Sequence, residues 1–147
     1  MINALEVIAV YKHYFPSLCQ DIEVEGKGVE HEQRASGRVA SFYSGGVDSL
    51  YNIVEYSRLN ARFGTARLTD LWVVHGFDIK LDDSALWNET WTRLNSQITQ
   101  KDRLSCVDIR TNLRNIYDTH VRWAEMGFSA ALGGVAKCVG ILHKCND

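Results

Sequence analysis

No charge sign dominates this chain of 147 residues: 16 Lys and Arg stand against 18 Asp and Glu, a net charge of -2. Without a basic surplus there is no signal for a nucleic-acid partner, and the acidic excess is too small for a disordered tail. Cysteine is sparse. Cys19, Cys106, Cys138 and Cys145 form no C-x-x-C pair and no Cys/His spacing of the zinc kind, which points to free thiols in a reducing compartment. The first stretch, Met1 to Phe15, lacks a basic leader region and is interrupted by Glu6, Lys12 and His13, so it does not read as a signal peptide. Long hydrophobic runs are missing too. The longest, Gly127 to Leu142, is short for a bilayer, rich in glycine and alanine, and broken by Lys137. No membrane partner is expected, and the expected location is the cytoplasm. There is one proline, Pro16, and no internal repeat or low-complexity segment.

What is present is ordinary globular material: 46% hydrophobic and 23% charged residues, at a length suited to one domain. Met1 to Leu18 reads as a helix with a broken stripe at Leu5, Ile8, Tyr11 and Phe15, which Pro16 ends or kinks. Ile22 to Glu25 alternates apolar with acidic residues, as a short half-buried strand does, and Gly26 to Gly37 reads as a loop. From Arg38 the pattern changes. Val39 to Tyr43 is a strand candidate, followed by a helix from Asp48 with a stripe at Leu50, Ile53, Val54 and Ser57. Leu71 to Val74 is a continuous apolar run, as in a strand covered on both faces. Asp82-Asp83-Ser84 can cap a helix whose face is Trp87, Trp91, Leu94 and Ile98. Leu104 to Ile109 is a third strand. Asn112 can cap a helix striped by Leu113, Ile116, Tyr117, Val121 and Ala124, ended by Gly127, with Ala130 to Leu142 as a last helix. The expected division is 1–37 as helix, strand and loop, and 38–147 as one α/β domain. Strands alternating with helices predict a three-layer fold on a parallel sheet with right-handed crossovers.

The string Ser44-Gly45-Gly46-Val47-Asp48-Ser49 joins the first of these strands to its helix. Gly45 and Gly46 allow positive φ and close approach of a ligand to the backbone. Successive N–H groups then converge on one concavity, and the helix adds its positive end there, which suits a phosphate. Ser44 and Ser49 supply hydroxyl donors. Asp48 would repel bare phosphate but fits a Mg²⁺ shared with it, since Mg²⁺ takes one or two carboxylates plus phosphate oxygens. A tight glycine turn with no ligand is the alternative for a bare Gly-Gly. The string is not a Walker loop, which requires G-x-x-x-x-G-K-[ST]. Gly133-Gly134-Val135-Ala136-Lys137 lacks the hydroxyl and the preceding strand, and reads as helix packing.

Elsewhere, His75 ends an apolar strand, where a nucleotide contact and a plain strand end are equally compatible. His120 lies on a helix stripe and reads as a core histidine. Trp87 and Trp91 read as core. Arg110 and Arg114 are candidates for phosphate or substrate contact, for capping, or for solvated surface.

Ser-Gly-Gly-Val-Asp-Ser resembles the signature of the PP-loop (N-type) ATP pyrophosphatase superfamily. Val74 to Ile79, Leu81-Asp82-Asp83 and Arg110 to Arg114 resemble a bacterial group of asparagine-synthetase-like proteins, and Trp123 to Leu142 is similar to the small-residue helix that follows in that group. The similarity spans about Arg38 to His143, and its first motif is the most specific. The resemblance implies an adenine nucleotide alpha hydrolase-like (Rossmann-like) fold and an AMP-forming ligase or amidotransferase-like activity. There a substrate oxygen attacks the α-phosphate of ATP and pyrophosphate leaves. It implies that Ser44, Gly45, Gly46, Val47 and Ser49 hold pyrophosphate, that Asp48 serves catalysis through Mg²⁺, and that His75, Gly76 and Phe77 lie beside the adenosine. ATP and Mg²⁺ are the implied cofactors, and a small-molecule acceptor the implied substrate.

Three departures qualify this. No cysteine pair of the sulfur-transferring kind is present, and no cysteine follows Met1, so no glutaminase half is expected. The third departure is that family domains continue into a fourth and fifth strand, which the sequence does not supply after Lys144. The fold is therefore expected to be incomplete at its C-terminus: either a partner, as a second copy or a companion domain, supplies half of the crevice, or the chain is a fragment, or the protein is inactive. The alternative is a non-catalytic nucleotide-binding module or an inactive truncated homologue.

Overall fold

The computed structural model describes residues 2–20, 38–63, 67–102 and 104–144. The chain forms two compact units, Met1–Arg34 and Ala35–Asp147. In the first, helix α1 covers Ile2–Tyr14. Beyond it Leu18 and Cys19 donate backbone hydrogen bonds to the Phe15 carbonyl, closing the turn around Pro16. Ile8, Tyr11 and Phe15 are half-buried, as the stripe predicts, while Val7, Val10 and Tyr14 are exposed. The strand and loop expected over 22–37 lie outside the described residues.

The second unit is an α/β fold on a parallel sheet of three strands in the order β1 (Ala40–Phe42), β2 (Asp70–His75), β3 (Ser105–Arg110). The register pairs Ala40 with Asp70 and Phe42 with Trp72, then Asp70 with Ser105 and His75 with Arg110. β2 is central and apolar, and is buried accordingly; Leu71 has no exposed surface. Helices α2 (Val47–Phe63) and α3 (Ser84–Asp102) share one face of the sheet, where Ile53, Trp87, Leu94 and Ile98 pack with Leu71 and Val73. Helix α5 (Phe128–Lys144) covers the other, setting Ala131 and Val135 against Phe42, Val74 and Ile109. The arrangement is compatible with a Rossmann-like fold. Among the described residues, no helix is long and apolar enough to cross a membrane.

α3 starts as its sequence predicts: the Asp83 carboxylate accepts the Leu86 backbone N–H at 3.1 Å. Other local expectations are corrected. The buried side of α2 carries Ser49 and Ile53 with Tyr56 packed beside them, whereas Leu50 and Val54 face outward. The helix after β3 is short, α4 covering Leu113–Tyr117. Asn112 makes no side-chain cap; the Thr111 hydroxyl accepts the Leu113 N–H instead, at 3.2 Å. Turns follow α4, so His120 is exposed rather than core. Gly127 does not stop the chain either. Trp123–Gly127 is a π-helical turn that runs directly into α5, and Gly127 is buried because Trp123, Tyr117 and Val121 close over it. Gly133 and Gly134 pack against nothing, since a Cβ on either meets open space among the described residues.

At the amino end of the sheet, Asp70 is 1% exposed and holds Arg38 in a two-point ion pair, with Nε at 3.0 Å from Oδ2 and Nη2 on Oδ1. The Thr69 hydroxyl donates to the same carboxylate at 2.7 Å and accepts the Val39 N–H at 3.0 Å. These bonds clamp β1 to β2 below the loop.

Candidate functional site

The site sits where β1 and β2 end. Tyr43 makes the last ladder bond, its N–H donating to the Trp72 carbonyl at 2.8 Å. The chain then leaves the sheet at Ser44, and Gly45 turns it with φ +75°, a conformation that costs a side chain. A Cβ on Gly45 would also stand 2.6 Å from Cδ2 of Leu94, so the turn lies tight against α3. The Gly46 N–H donates to the Ser44 hydroxyl oxygen at 3.3 Å, and the Gly46 carbonyl accepts the Leu50 N–H at 3.0 Å to open α2. Helix geometry leaves the N–H groups of Val47, Asp48 and Ser49 without intrahelical partners, at the positive end of the helix.

The two serines are placed differently. Ser44 is exposed, and because its oxygen accepts from Gly46 its own proton is available to a ligand. Ser49 is buried, and its hydroxyl donates to the Gly46 carbonyl at 2.8 Å. It fixes the loop from within. Asp48 and Val47 stand exposed on the first turn of α2.

His75, Gly76 and Phe77 leave the end of β2. The His75 ring is buried, stacks on Trp87 at 4.2 Å and 3°, and places Nε2 2.9 Å from the Lys80 carbonyl. Its Nδ1 has no hydrogen-bond partner among the described residues. Gly76 takes φ +106°, and a Cβ there would fall 1.9 Å from the Thr111 carbonyl oxygen. Phe77 is buried, edge-on to Trp123 at 4.9 Å. Its carbonyl accepts from Arg114, whose guanidinium also reaches Asp118 at 3.2 Å and lies over Trp123 at 5.3 Å. Arg114 is thus occupied in holding the loop after β2 onto α4 and the π-turn. Arg110 pairs with Asp108 at the surface.

Between the two strand ends is a cavity of about 180 Å³ walled by Phe42, Ser44, Trp72, Phe77, Trp87 and Phe128, with Asp78 and Thr90 among its polar groups. Of the candidate nucleotide-site residues, Ser44 and Phe77 line it, and so does Trp87, which the sequence marks as core; His75 stacks on Trp87 and is not part of the lining, and neither is Asp48. Nothing in the sequence marks the aromatic walls Trp72 and Phe128 as site residues. Each sits in an apolar run whose only signal is burial.

Burial raises the pKa of the Tyr43 hydroxyl, with a further rise from nearby Cys106, and burial alone raises that of the Cys106 thiol. The Tyr43 hydroxyl has no partner among the described residues. No group of three or more His, Cys, Asp or Glu side chains is gathered among them. A dedicated protein cage for a metal is therefore not part of the described structure. A single carboxylate, Asp48, completed by phosphate oxygens is the kind of donor set Mg²⁺ accepts.

Set against family models, curated proteins and solved structures, the chain matches none.

Proposed function

We propose that Ser44–Ser49 binds the pyrophosphate portion of ATP and that the cavity beside it takes the adenine. One observation carries this: Ser44 belongs both to a glycine-turned loop opening a helix and to the wall of an aromatic cavity. The loop offers backbone N–H groups and a hydroxyl proton to phosphate oxygens. The cavity offers flat apolar faces to a base. Its volume, about 180 Å³, lies below the roughly 300 Å³ where pockets for whole drug-sized ligands begin. It suits a base alone, with sugar and phosphates outside on the loop.

Asp48 would hold Mg²⁺, which would neutralise charge on the phosphates. The residues around it bind and orient: Gly45 and Ser49 fix the loop, and Arg114 fixes the opposite wall through the Phe77 carbonyl. The resemblance to the PP-loop superfamily, asparagine-synthetase-like members among them, supports extending this to an AMP-forming ligase that adenylates a small acceptor. A second reading is nucleotide binding without turnover. It is favoured by β1 having β2 as its one neighbour among the described strands, which leaves the loop walled on one side. ATP/pyrophosphate exchange with Mg²⁺ separates the two. Exchange supports the ligase. Its absence, with ATP still raising the melting temperature, leaves the binding module. Absence of both removes the nucleotide reading.

A further inference from the structure

The aromatic cavity has a single charged side chain in its lining, the Asp78 carboxylate, which follows Phe77 beyond β2. Asp78 is exposed and has no hydrogen-bond or ion-pair partner among the described residues. A second polar group is Thr90 of α3. Helical hydroxyls commonly bond back to a carbonyl of the preceding turn, and two others on α3 do. Thr92 donates to the Asn88 carbonyl at 2.8 Å and Ser96 to the Arg93 carbonyl at 2.9 Å. Thr90 is half-buried, lines the cavity and makes no such bond among the described residues. Its proton is therefore available. Of the other lining hydroxyls, Ser44 belongs to the phosphate loop, and Tyr43 lies in the core near Cys106.

We propose that Asp78 and Thr90 select the base at this site, Asp78 accepting from the 6-amino group of adenine and Thr90 donating to the adjacent ring nitrogen. The inference rests on the cavity being the adenine site and goes beyond it by naming the side chains that choose the base.

The chemistry of the two groups carries this. An ionised carboxylate accepts and cannot donate, while a hydroxyl can donate. Together they match a base edge with one donor beside one acceptor. Adenine has that edge, an amino group next to a ring nitrogen. Guanine carries a carbonyl oxygen where adenine carries the amino group, so an acceptor would meet the carboxylate. The flat walls Trp72, Phe77 and Phe128 take any base, since every base has an apolar face. Discrimination therefore falls to the polar pair. A base with the wrong edge leaves Asp78 and Thr90 without partners once water has been displaced, and the site rejects it on that ground.

The test is calorimetric titration of the full chain with the Mg²⁺ complexes of ATP, GTP and purine riboside triphosphate, which is ATP without its 6-amino group. ATP is expected to bind at least about fivefold more tightly than either of the others. Asp78→Ala weakens ATP to the level of purine riboside triphosphate, so that their ratio falls to about one. Thr90→Val keeps the shape of the side chain and weakens both nucleotides alike, by about threefold or more, because both retain the ring nitrogen. Their ratio then stays as in the native chain. Damage to the fold cannot split the two variants in this way. Equal binding of ATP and either other nucleotide by the native chain overturns the proposal while the ATP reading stands. So does a ratio that Asp78→Ala leaves unchanged, or a Thr90→Val chain that binds ATP as the native one does. Absence of binding by all three nucleotides overturns both.

Discussion

Gly45 rests against Leu94, with the place of its missing Cβ 2.6 Å from Leu94 Cδ2. The loop is therefore shaped by α3 as well as by its own glycines. Gly45→Ala is expected to cost about 2 kcal/mol in denaturant unfolding, from positive φ and overpacking together. Gly46→Ala, with no positive φ and only the Ser44 hydroxyl at 3.3 Å in its way, should cost under about 1 kcal/mol. Equal costs would contradict this placement.

Gly76 is held more tightly. A side chain there meets the Thr111 backbone carbonyl, which cannot rotate away. Gly76→Ala should lose about 3 kcal/mol of stability. It should also change near-ultraviolet circular dichroism, because Phe77 and Trp123 would separate. An unaltered aromatic spectrum would oppose that view.

How far the sequence discloses this site depends on the residue. Local chemistry is legible: the glycine turn after a strand, the Asp83 cap and the Trp87–Leu94–Ile98 face each follow from short-range pattern. Facing is harder to read. In α2 both Leu50–Val54 and Ser49–Ile53 are apolar enough to be the core side, and only the position of β1 and β2 decides. Gly127 reads as a stop because a glycine ends most helices it follows, yet here Trp123 and Tyr117 close over it and the chain continues. The Arg38–Asp70 clamp spans 32 positions and has no local signal.

That clamp gives a third expectation. Arg38→Met removes two donors from a buried carboxylate and should cost about 3 kcal/mol. Arg110→Met, at the exposed pair with Asp108, should cost at most about 0.5 kcal/mol. Chemical denaturation of the two variants in parallel measures the contrast.

Alkaline pH supplies a fourth. Burial raises the Tyr43 and Cys106 pKa values above their unfolded levels, so both groups favour folding while protonated. Their contribution is complete below the unfolded values, about 8.5 for the thiol and about 10 for the phenol. It is lost as pH rises through the folded ones. Stability should fall as pH climbs past 9. Tyr43→Phe should flatten the upper part of that fall, and near neutrality it should be neutral or stabilising, since the buried hydroxyl has no partner among the described residues. A pH series of unfolding free energies for both chains reads this directly.

The central claim is that Ser44–Ser49 holds the pyrophosphate of ATP. Calorimetric titration of the full chain with Mg·ATP tests it most directly. The account predicts one saturable site per chain, competed by inorganic pyrophosphate, bound at least about tenfold more weakly by AMP, and abolished by Gly46→Val in a protein that stays folded. Absence of binding at millimolar Mg·ATP, or binding that Gly46→Val leaves unchanged, would contradict it.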